Sequence, residues 1–278
     1  MIRLLAIDID GTLLDSHGVL PDANISAISR AIDAGVEVAL ATGRRYDFAR
    51  SIFEKLRSPL TLILSNGAVV KTCAGDTLQR RLLPRDTAHD VLRRNPGYRD
   101  GTAVVFDRPR EGQVVFEAID WEHPRHSRFF ATNRPYLAES NPLEACLTED
   151  PIQVMFTGSC APMRALFHDL QADAAQAFSV ALTEYQHRDF SLVDVVRWGV
   201  SKGSALRDWA AGNGYDTAEI MAIGDNLNDL EMLELAGRPV VMKNAIPELK
   251  TRGWAETADN DNAGVARAVE TFILKGAS

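Results

Sequence analysis

The N-terminal segment joins a short apolar run to a pair of carboxylates. The run LLAI at 4–7 leads directly into DIDGT at 8–12. A segment that is apolar on both faces is typical of a strand inside a parallel sheet. The ligand crevice of such a sheet lies beyond the carboxyl ends of its strands, so we predict that Asp8 and Asp10 border it. Side chains two apart on a strand point the same way, which lets these carboxylates share a hard cation such as Mg2+.

Strands and helices alternate in both terminal parts of the chain. This alternation predicts crossover connections and an α/β fold, with a doubly wound, Rossmann-like parallel sheet as its core. Strands are predicted at 36–41, 60–64, 220–223 and 240–242, and helices at 21–34, 46–56, 202–213, 227–236 and 264–274.

The middle of the chain has a different pattern. Two apolar segments flank a polar turn and predict an antiparallel hairpin, and further strands surround a single helix. The hairpin strands are 102–107 and 113–119, the later strands 152–157, 180–185 and 190–196, and the helix 162–178. We therefore predict an inserted α+β cap domain at 84–188, within a core built from 1–83 and 189–278.

Composition narrows the class of partner. A net charge of -8 argues against nucleic acid or a membrane surface as the main partner, because both need a basic face. The three cysteines have no C-x-x-C spacing, which indicates neither a disulfide framework nor a zinc site. No segment has the pattern of a signal peptide or the length of a membrane span. We expect a cytoplasmic protein that is a monomer or a homodimer.

Polar residues recur where predicted strands end or helices begin. In chain order they form an acid pair, a hydroxyl, an amine and a second acid pair, which one edge of the sheet could gather. Metal-assisted phosphoryl transfer through a covalent aspartyl phosphate needs this set of groups. The motifs are DIDGT at 8–12, TGR at 42–44, Lys202 within GVSKG, and GDNLND at 224–229.

With these four motifs in this order, the chain resembles the haloacid dehalogenase (HAD) superfamily, in particular its Cof-type phosphatases with an inserted α/β cap. The resemblance covers essentially the full length, and NAGVA at 262–266 is similar to the C-terminal segment of that family. It implies a Mg2+-dependent phosphomonoester hydrolase. The implied substrate is a small phosphorylated metabolite such as a sugar phosphate, and the resemblance does not say which one.

The resemblance also implies catalytic roles. Asp8 would attack phosphorus, and Asp10 would protonate the leaving oxygen and later accept a proton from water. Lys202 would steady both Asp8 and the phosphoryl group. The metal ligands would be Asp8, the main-chain carbonyl of Asp10, and Asp225, with Asp229 orienting the ligands or their waters.

Further residues are implied on the substrate side. Thr42 and the amides near Gly43 would hold phosphate oxygens, and Asn228 would donate to phosphate or to a bound water. Arg44, Asn66 and Gly67 would lie where family members approach the substrate.

Several alternatives remain open at this point. DIDGT alone is compatible with a polar strand end, and Lys202 with a solvated lysine. A phosphomutase or phosphotransferase would use the same aspartyl phosphate, and a non-catalytic binding protein could retain the fold. A signalling receiver also gathers aspartates and a lysine, but it is one small domain without an insert. HPRH at 123–126 lacks the spacing of a metal site and is predicted to be a surface loop.

Overall fold

The computed structural model describes residues 1–122 and 127–275, so the HPRH segment lies outside the described residues. Two compact units make up the chain. The first joins Met1–Arg80 to Val200–Ser278, and the second is Arg81–Gly199. Within the described ranges, no helix is long and apolar enough to cross a membrane.

The described residues form strands and helices along the whole chain. The strands are β1 (Leu4–Asp8), β2 (Glu37–Ala41), β3 (Thr61–Leu64), β4 (Val69–Thr72), β5 (Thr77–Arg80), β6 (Thr102–Val105), β7 (Val114–Phe116), β8 (Leu137–Glu139), β9 (Gln153–Gly158), β10 (Phe178–Tyr185), β11 (Phe190–Arg197), β12 (Ile220–Gly224), β13 (Arg238–Val241) and β14 (Ala255–Glu256). The helices are α1 (Asp22–Asp33), α2 (Tyr46–Phe53), α3 (Arg85–Arg94), α4 (Ser127–Asn133), α5 (Cys160–Asp173), α6 (Lys202–Gly212), α7 (Leu230–Leu235), α8 (Pro247–Lys250) and α9 (Gly264–Val269).

The sheet of the first unit has the strand order β14-β13-β12-β1-β2-β3-β4-β5. The strands from β14 to β3 are parallel, which confirms the predicted α/β fold with a parallel core sheet. Leu4 to Ile7 of β1 are fully buried, as expected for a central strand of a parallel sheet that is covered on both faces. β1 lies between β12 and β2. The strands that follow β1 in sequence, β2 to β5, lie on one side of it, and β12 to β14 lie on the other side. The strand order therefore reverses at the ends of β1 and β12, where ligands of such sheets bind.

Strands β4 and β5 were not predicted from the sequence. After β3 the chain reverses through Ser65, Asn66 and Gly67, all with positive φ (48°, 53° and 97°). β4 then runs antiparallel to β3, and β5 antiparallel to β4. Asn-Gly followed by apolar residues is a strong hairpin signal, so the information was present at these positions.

The second unit contains a separate sheet with the order β10-β11-β9-β6-β7-β8. Its β6 and β7 pair antiparallel, as the hairpin prediction requires. Helix α5 buries Met163, Leu166, Phe167 and Leu170, and it contacts β9, β10 and β11. This helix ends earlier than predicted, since Phe178 already belongs to β10.

The predicted second boundary of the insert, at 188, needs correction. It separates β10 from β11, yet these strands pair along their length from Phe178↔Arg197 to Tyr185↔Phe190. β11 also pairs with β9. The strand therefore belongs to the inserted unit, which extends from Arg81 to Gly199.

Candidate active site

Three buried aspartates converge at the carboxyl ends of β1 and β12. Asp8 ends β1, and Asp225 and Asp229 follow β12. Each offers one carboxylate oxygen, and these oxygens lie within 4.8 Å of one another. Adjacent parallel strands bring their carboxyl ends to one edge, which explains how residues more than 200 positions apart meet.

Lys202 supplies the cation of this cluster. Its Nζ donates to Asp8 Oδ1 at 2.6 Å and to Asp229 Oδ1 at 2.7 Å. The lysine is only 1% exposed. It is the first residue of α6, which Ser201 caps by accepting from the Ser204 N–H. Lys202 is therefore buried and ion-paired rather than solvated, and its catalytic role stays a prediction.

Gly67 explains how α6 reaches this edge. A Cβ at Gly67 would overlap the carbonyl oxygen of Ser201, the residue before Lys202. With a φ of 97°, the position also favours glycine on conformational grounds. The structure thus gives Gly67 a packing role, and its contact with substrate stays a prediction.

The wide turn after β1 places a second set of groups. The Leu14 N–H donates to Ile9 O at 3.0 Å and closes the turn. Within it, the Thr12 hydroxyl donates to Asp225 Oδ1 at 2.8 Å. Gly11 has a φ of 85°, and any Cβ there would overlap the Asp225 carboxylate. Glycine at position 11 therefore allows the turn and Asp225 to lie side by side.

Asp229 is fixed by two kinds of contact. Its Oδ1 accepts from Lys202, and its Oδ2 accepts the N–H groups of Asp225 and Asn226, both at 3.0 Å. With both oxygens engaged, Asp229 orients Lys202 and the Asp225 backbone. This arrangement fits the supporting role that the resemblance implies for it better than direct ligation.

Burial and mutual repulsion set the protonation of the cluster. Burial, followed by the nearby Asp229, raises the pKa of Asp8 to about 7, although Lys202 opposes the shift. Burial also raises the pKa of Asp225 well above its usual range, and Asp8 adds to that effect. For Lys202, burial lowers the pKa, but Asp229 and Asp8 outweigh it and raise the pKa overall. If all three carboxylates were ionised, the single ammonium would not balance their charge.

The donor set fits a hard divalent cation. Asp8 Oδ2 is buried and has no hydrogen-bond partner in the described structure. Such an orphaned acceptor is costly unless a cation or a ligand satisfies it. Carboxylate oxygens are the ligands that Mg2+ prefers. Asp8 and Asp225 are placed to hold the ion, and cation binding would favour their ionised forms.

The Asp10 side chain lies outside this three-aspartate cluster. Arg44 Nε donates to Asp10 Oδ2 at 2.8 Å, and Arg44 Nη2 donates to Asp10 Oδ1 at 2.6 Å. The Arg44 guanidinium also lies 4.4 Å from the ring centroid of Phe48. If Asp10 contributes to a metal site, the predicted main-chain carbonyl is therefore the group available for it.

The remaining predicted residues form a connected group beside the aspartates. Thr42 Oγ1 accepts from the Arg44 N–H at 3.1 Å, which leaves its own hydroxyl proton for donation. Asn66 N–H donates to Thr42 O at 3.0 Å, and Asn228 Nδ2 donates to Asn66 Oδ1 at 3.0 Å. Gly43 packs close to the Asn66 amide. The first unit thus holds every predicted site residue.

Three asparagines that the sequence analysis did not identify hold the wide turn. The side-chain amides of Asn244, Asn24 and Asn260 donate to the carbonyls of positions 11, 13 and 14, at 2.8, 2.9 and 2.9 Å respectively. Asn244 also accepts from the Asn260 N–H. No local pattern reveals these partners, because two of them lie more than 230 positions from the turn in sequence.

Comparison with protein families gives a match over most of the chain. Residues 5–269 match the family described as haloacid dehalogenase-like hydrolase. Among curated relatives, the HMP-PP phosphatase of Serratia proteamaculans is 33% identical over 90% of this chain and 87% of its own length. The pyridoxal phosphate phosphatase YbhA of Escherichia coli is 28% identical over 98% and 99% of the two chains.

A solved structure shares the complete architecture. It is a haloacid dehalogenase-like hydrolase from B. subtilis with a TM-score of 0.82 and 25% sequence identity. The match covers 98% of this chain and all of the other. The similarity therefore includes both the core sheet and the inserted sheet.

Proposed function

We propose that this chain hydrolyses phosphomonoesters through a phosphorylated Asp8, because it belongs to the haloacid dehalogenase-like hydrolase family and to its Cof-type phosphatases. The chain is a phosphatase of small phosphorylated metabolites. Asp8 as the nucleophile, Mg2+ as the metal and the order of the chemical steps are all part of the proposal. A sugar phosphate is the proposed substrate type, and this choice rests on the family resemblance.

The geometry of Asp8 carries the proposal. One of its oxygens is held by Lys202 at 2.6 Å, while the other is buried and has no hydrogen-bond partner in the described structure. A carboxylate that is oriented on one side and open on the other is suited to attack an electrophile. A purely structural ion pair would leave no buried oxygen unsatisfied.

In the first step, an oxygen of Asp8 bonds to phosphorus and the bond from phosphorus to the ester oxygen breaks. Asp10 gives a proton to that leaving oxygen. In the second step, water attacks phosphorus and passes a proton to Asp10. The bond from phosphorus to Asp8 then breaks, which releases inorganic phosphate and restores both carboxyl groups.

Mg2+ held by Asp8, Asp225 and the Asp10 carbonyl would supply positive charge against the repulsion between carboxylate and phosphate. Lys202 contributes a fixed positive charge next to Asp8. The Thr42 hydroxyl, the Gly43 amide and the Asn228 side chain are the proposed donors to the phosphate oxygens. These donors do not depend on the organic part of the substrate, which suits a family whose members act on different metabolites.

A panel of phosphorylated metabolites tests the function. The purified protein is incubated with each compound and Mg2+, and inorganic phosphate is measured. Asp8→Asn serves as the matched control because it keeps the shape of the side chain. We expect phosphate release by the wild type and none by the variant. Transfer of the phosphoryl group between sugar positions, without release, would instead indicate a phosphomutase, and no turnover of any compound would contradict the proposal.

A further inference from the structure

Arg44 and Asp10 form a two-point ion pair next to the aspartate cluster. We propose that Arg44 is a positioning residue that orients the Asp10 carboxylate for proton transfer and keeps it out of the metal site. The sequence analysis assigned Arg44 to the substrate, so this is a different role for the residue. The inference rests on the proposed function, because it concerns the acid and base of that reaction.

The contact is specific in its geometry. Two nitrogens of one planar guanidinium meet the two oxygens of one carboxylate, at 2.8 and 2.6 Å. Such a fork fixes the plane of the carboxylate as well as its position. The side chains of Arg44 and Asp10 are 18% and 24% exposed, so solvent competes only partly for the pair.

Arg44 is itself held from several sides. Its guanidinium stacks on the Phe48 ring at 4.4 Å, and Nη1 donates to Phe48 O at 3.4 Å. Its backbone N–H donates to Thr42 Oγ1, and its carbonyl accepts from the Ser65 N–H at 3.0 Å. A residue anchored at both its backbone and its guanidinium can hold its partner in one orientation.

The ion pair with Arg44 separates the Asp10 carboxylate from the three aspartates of the cluster. Asp8, Asp225 and Asp229 already gather within 4.8 Å, and a fourth carboxylate would add repulsion or compete for the cation. Arg44 draws the Asp10 side chain away from them. The fork occupies one lone pair on each Asp10 oxygen, and each oxygen keeps another at which a proton can be exchanged.

The two roles for Arg44 predict different kinetics. A substrate contact acts on binding, so its loss raises KM. A contact with phosphate that strengthens in the transition state lowers kcat, and this effect does not depend on Asp10. Positioning of Asp10 also lowers kcat, but the effect disappears when Asp10 can no longer transfer protons.

A double-mutant cycle separates these outcomes. Arg44→Lys retains the charge but cannot form the fork, and Asp10→Asn removes the proton carrier. Arg50→Ala is the matched control, since Arg50 lies on α2 and pairs with Glu54 at the surface. With the best substrate of the panel and saturating Mg2+, we expect Arg44→Lys to lower kcat about 10- to 100-fold and to change KM less than about twofold. We expect Arg50→Ala to match the wild type.

In the Asp10→Asn background, Arg44→Lys is expected to change kcat less than about threefold. Circular dichroism and thermal unfolding verify that each variant is folded. If Arg44→Ala is also folded, added guanidinium should restore part of its kcat. The positioning role would be overturned if Arg44→Lys raised KM and left kcat unchanged. It would also be overturned if Arg44→Lys lowered kcat as much in the Asp10→Asn background as in the wild type. Neither result would affect the proposed function. A wild type that hydrolyses nothing in the panel would overturn the proposed function and, with it, this inference.

Discussion

Carboxylates lie at both ends of the strands of the core sheet, and their hydrogen bonding differs. The edge formed by the amino ends of the strands holds Glu37, and the edge formed by the carboxyl ends holds the aspartates. At the edge where β2 begins, Glu37 accepts from the Trp209 indole at 2.6 Å, the Thr61 hydroxyl at 3.1 Å and the Tyr215 hydroxyl at 2.8 Å. Both oxygens of Glu37 are satisfied by neutral donors. At the opposite, carboxyl-terminal end of the strands, Lys202 donates to Asp8 and Asp229 but not to Asp225, and an oxygen of Asp8 has no hydrogen-bond partner in the described structure.

Helix α6 connects the two arrangements. It begins with Lys202 at the aspartates and carries Trp209 to Glu37, two turns further along. One end of α6 therefore contacts a carboxylate whose two oxygens both accept hydrogen bonds, and the other end contacts a carboxylate with one unsatisfied oxygen. A satisfied carboxylate stabilises the fold, whereas an excess of buried carboxylates costs stability unless a ligand joins them. This contrast marks the edge at Asp8 as the functional one.

The largest effect is expected from Asp8→Asn. The amide cannot act as the nucleophile, so kcat should fall more than about 1,000-fold while the protein stays folded. Steady-state phosphate release measures the loss, and circular dichroism verifies the fold. The matched change at the opposite edge, Glu37→Gln, should leave kcat within about twofold of the wild type. Near-normal activity of Asp8→Asn would show that the edge at Asp8 is not the functional one.

Removal of divalent metal is the next strongest test. We expect EDTA to abolish phosphate release, because without the cation Asp8 either holds a proton and cannot attack, or is ionised and repels the phosphate. Added Mg2+ should restore activity, and isothermal titration should detect weaker Mg2+ binding after Asp225→Asn. Full activity in EDTA-treated, metal-free protein would contradict this account of the cluster.

A moderate effect on stability is expected at the structural edge. Glu37→Gln removes the charge and replaces one acceptor oxygen with a donor, so the hydrogen bonds from Trp209 and Tyr215 lose their charge assistance and the Tyr215 hydroxyl must reverse its direction. The free energy of unfolding should fall by about 1–2 kcal/mol. Urea unfolding followed by tryptophan fluorescence provides the measurement. If Glu37→Gln instead impaired turnover tenfold at unchanged stability, the two edges would not have separate roles.

The last prediction concerns the pH dependence of stability without metal. The pKa of Asp8 is raised to about 7 in the folded state, chiefly by burial. Between about pH 4 and pH 7, the folded state therefore holds a proton that the unfolded state has lost. The contribution of Asp8 to stability should thus decline as pH rises through this range.

Urea midpoints in EDTA at pH 5 and pH 8 measure that decline. Asp8→Asn removes the titrating group, so the variant should gain stability relative to the wild type as pH rises. Identical pH profiles for the two proteins would show that Asp8 does not carry the unfavourable charge.

The sequence predicted the centre of the site because strand ends are easy to recognise. Apolar runs that stop at Asp8 and before Asp225 predict neighbouring carboxylates wherever the strands are parallel. Lys202 joined this set as an amine at a predicted helix start, where the helix dipole alone disfavours a cation, and the family resemblance supplied its role. The structure brings these residues together at one edge. The cytoplasmic location and the monomeric or homodimeric state stay predictions.

Other features depended on contacts that no local pattern encodes. Arg44 and Asp10 are 34 positions apart, and a flexible arginine has many possible partners, so its fork with Asp10 was not predictable. β11 is as apolar as a core strand, and only its pairing with β10 shows that it belongs to the insert. The hairpin after β3 was different, since Asn66-Gly67 already signalled it.

Trapping the phosphorylated enzyme identifies the nucleophile directly. Asp10→Asn, which should slow hydrolysis of the intermediate, is mixed with p-nitrophenyl phosphate and Mg2+ and quenched in acid within milliseconds. The nitrophenolate leaving group needs no proton from Asp10, so the intermediate can still form in this variant. Borohydride then reduces any acyl phosphate, and peptide mass spectrometry locates the reduced residue. We predict modification at Asp8 and none in the Asp8→Asn protein. Modification at another residue, or phosphate release with no acyl phosphate at any time point, would contradict the account.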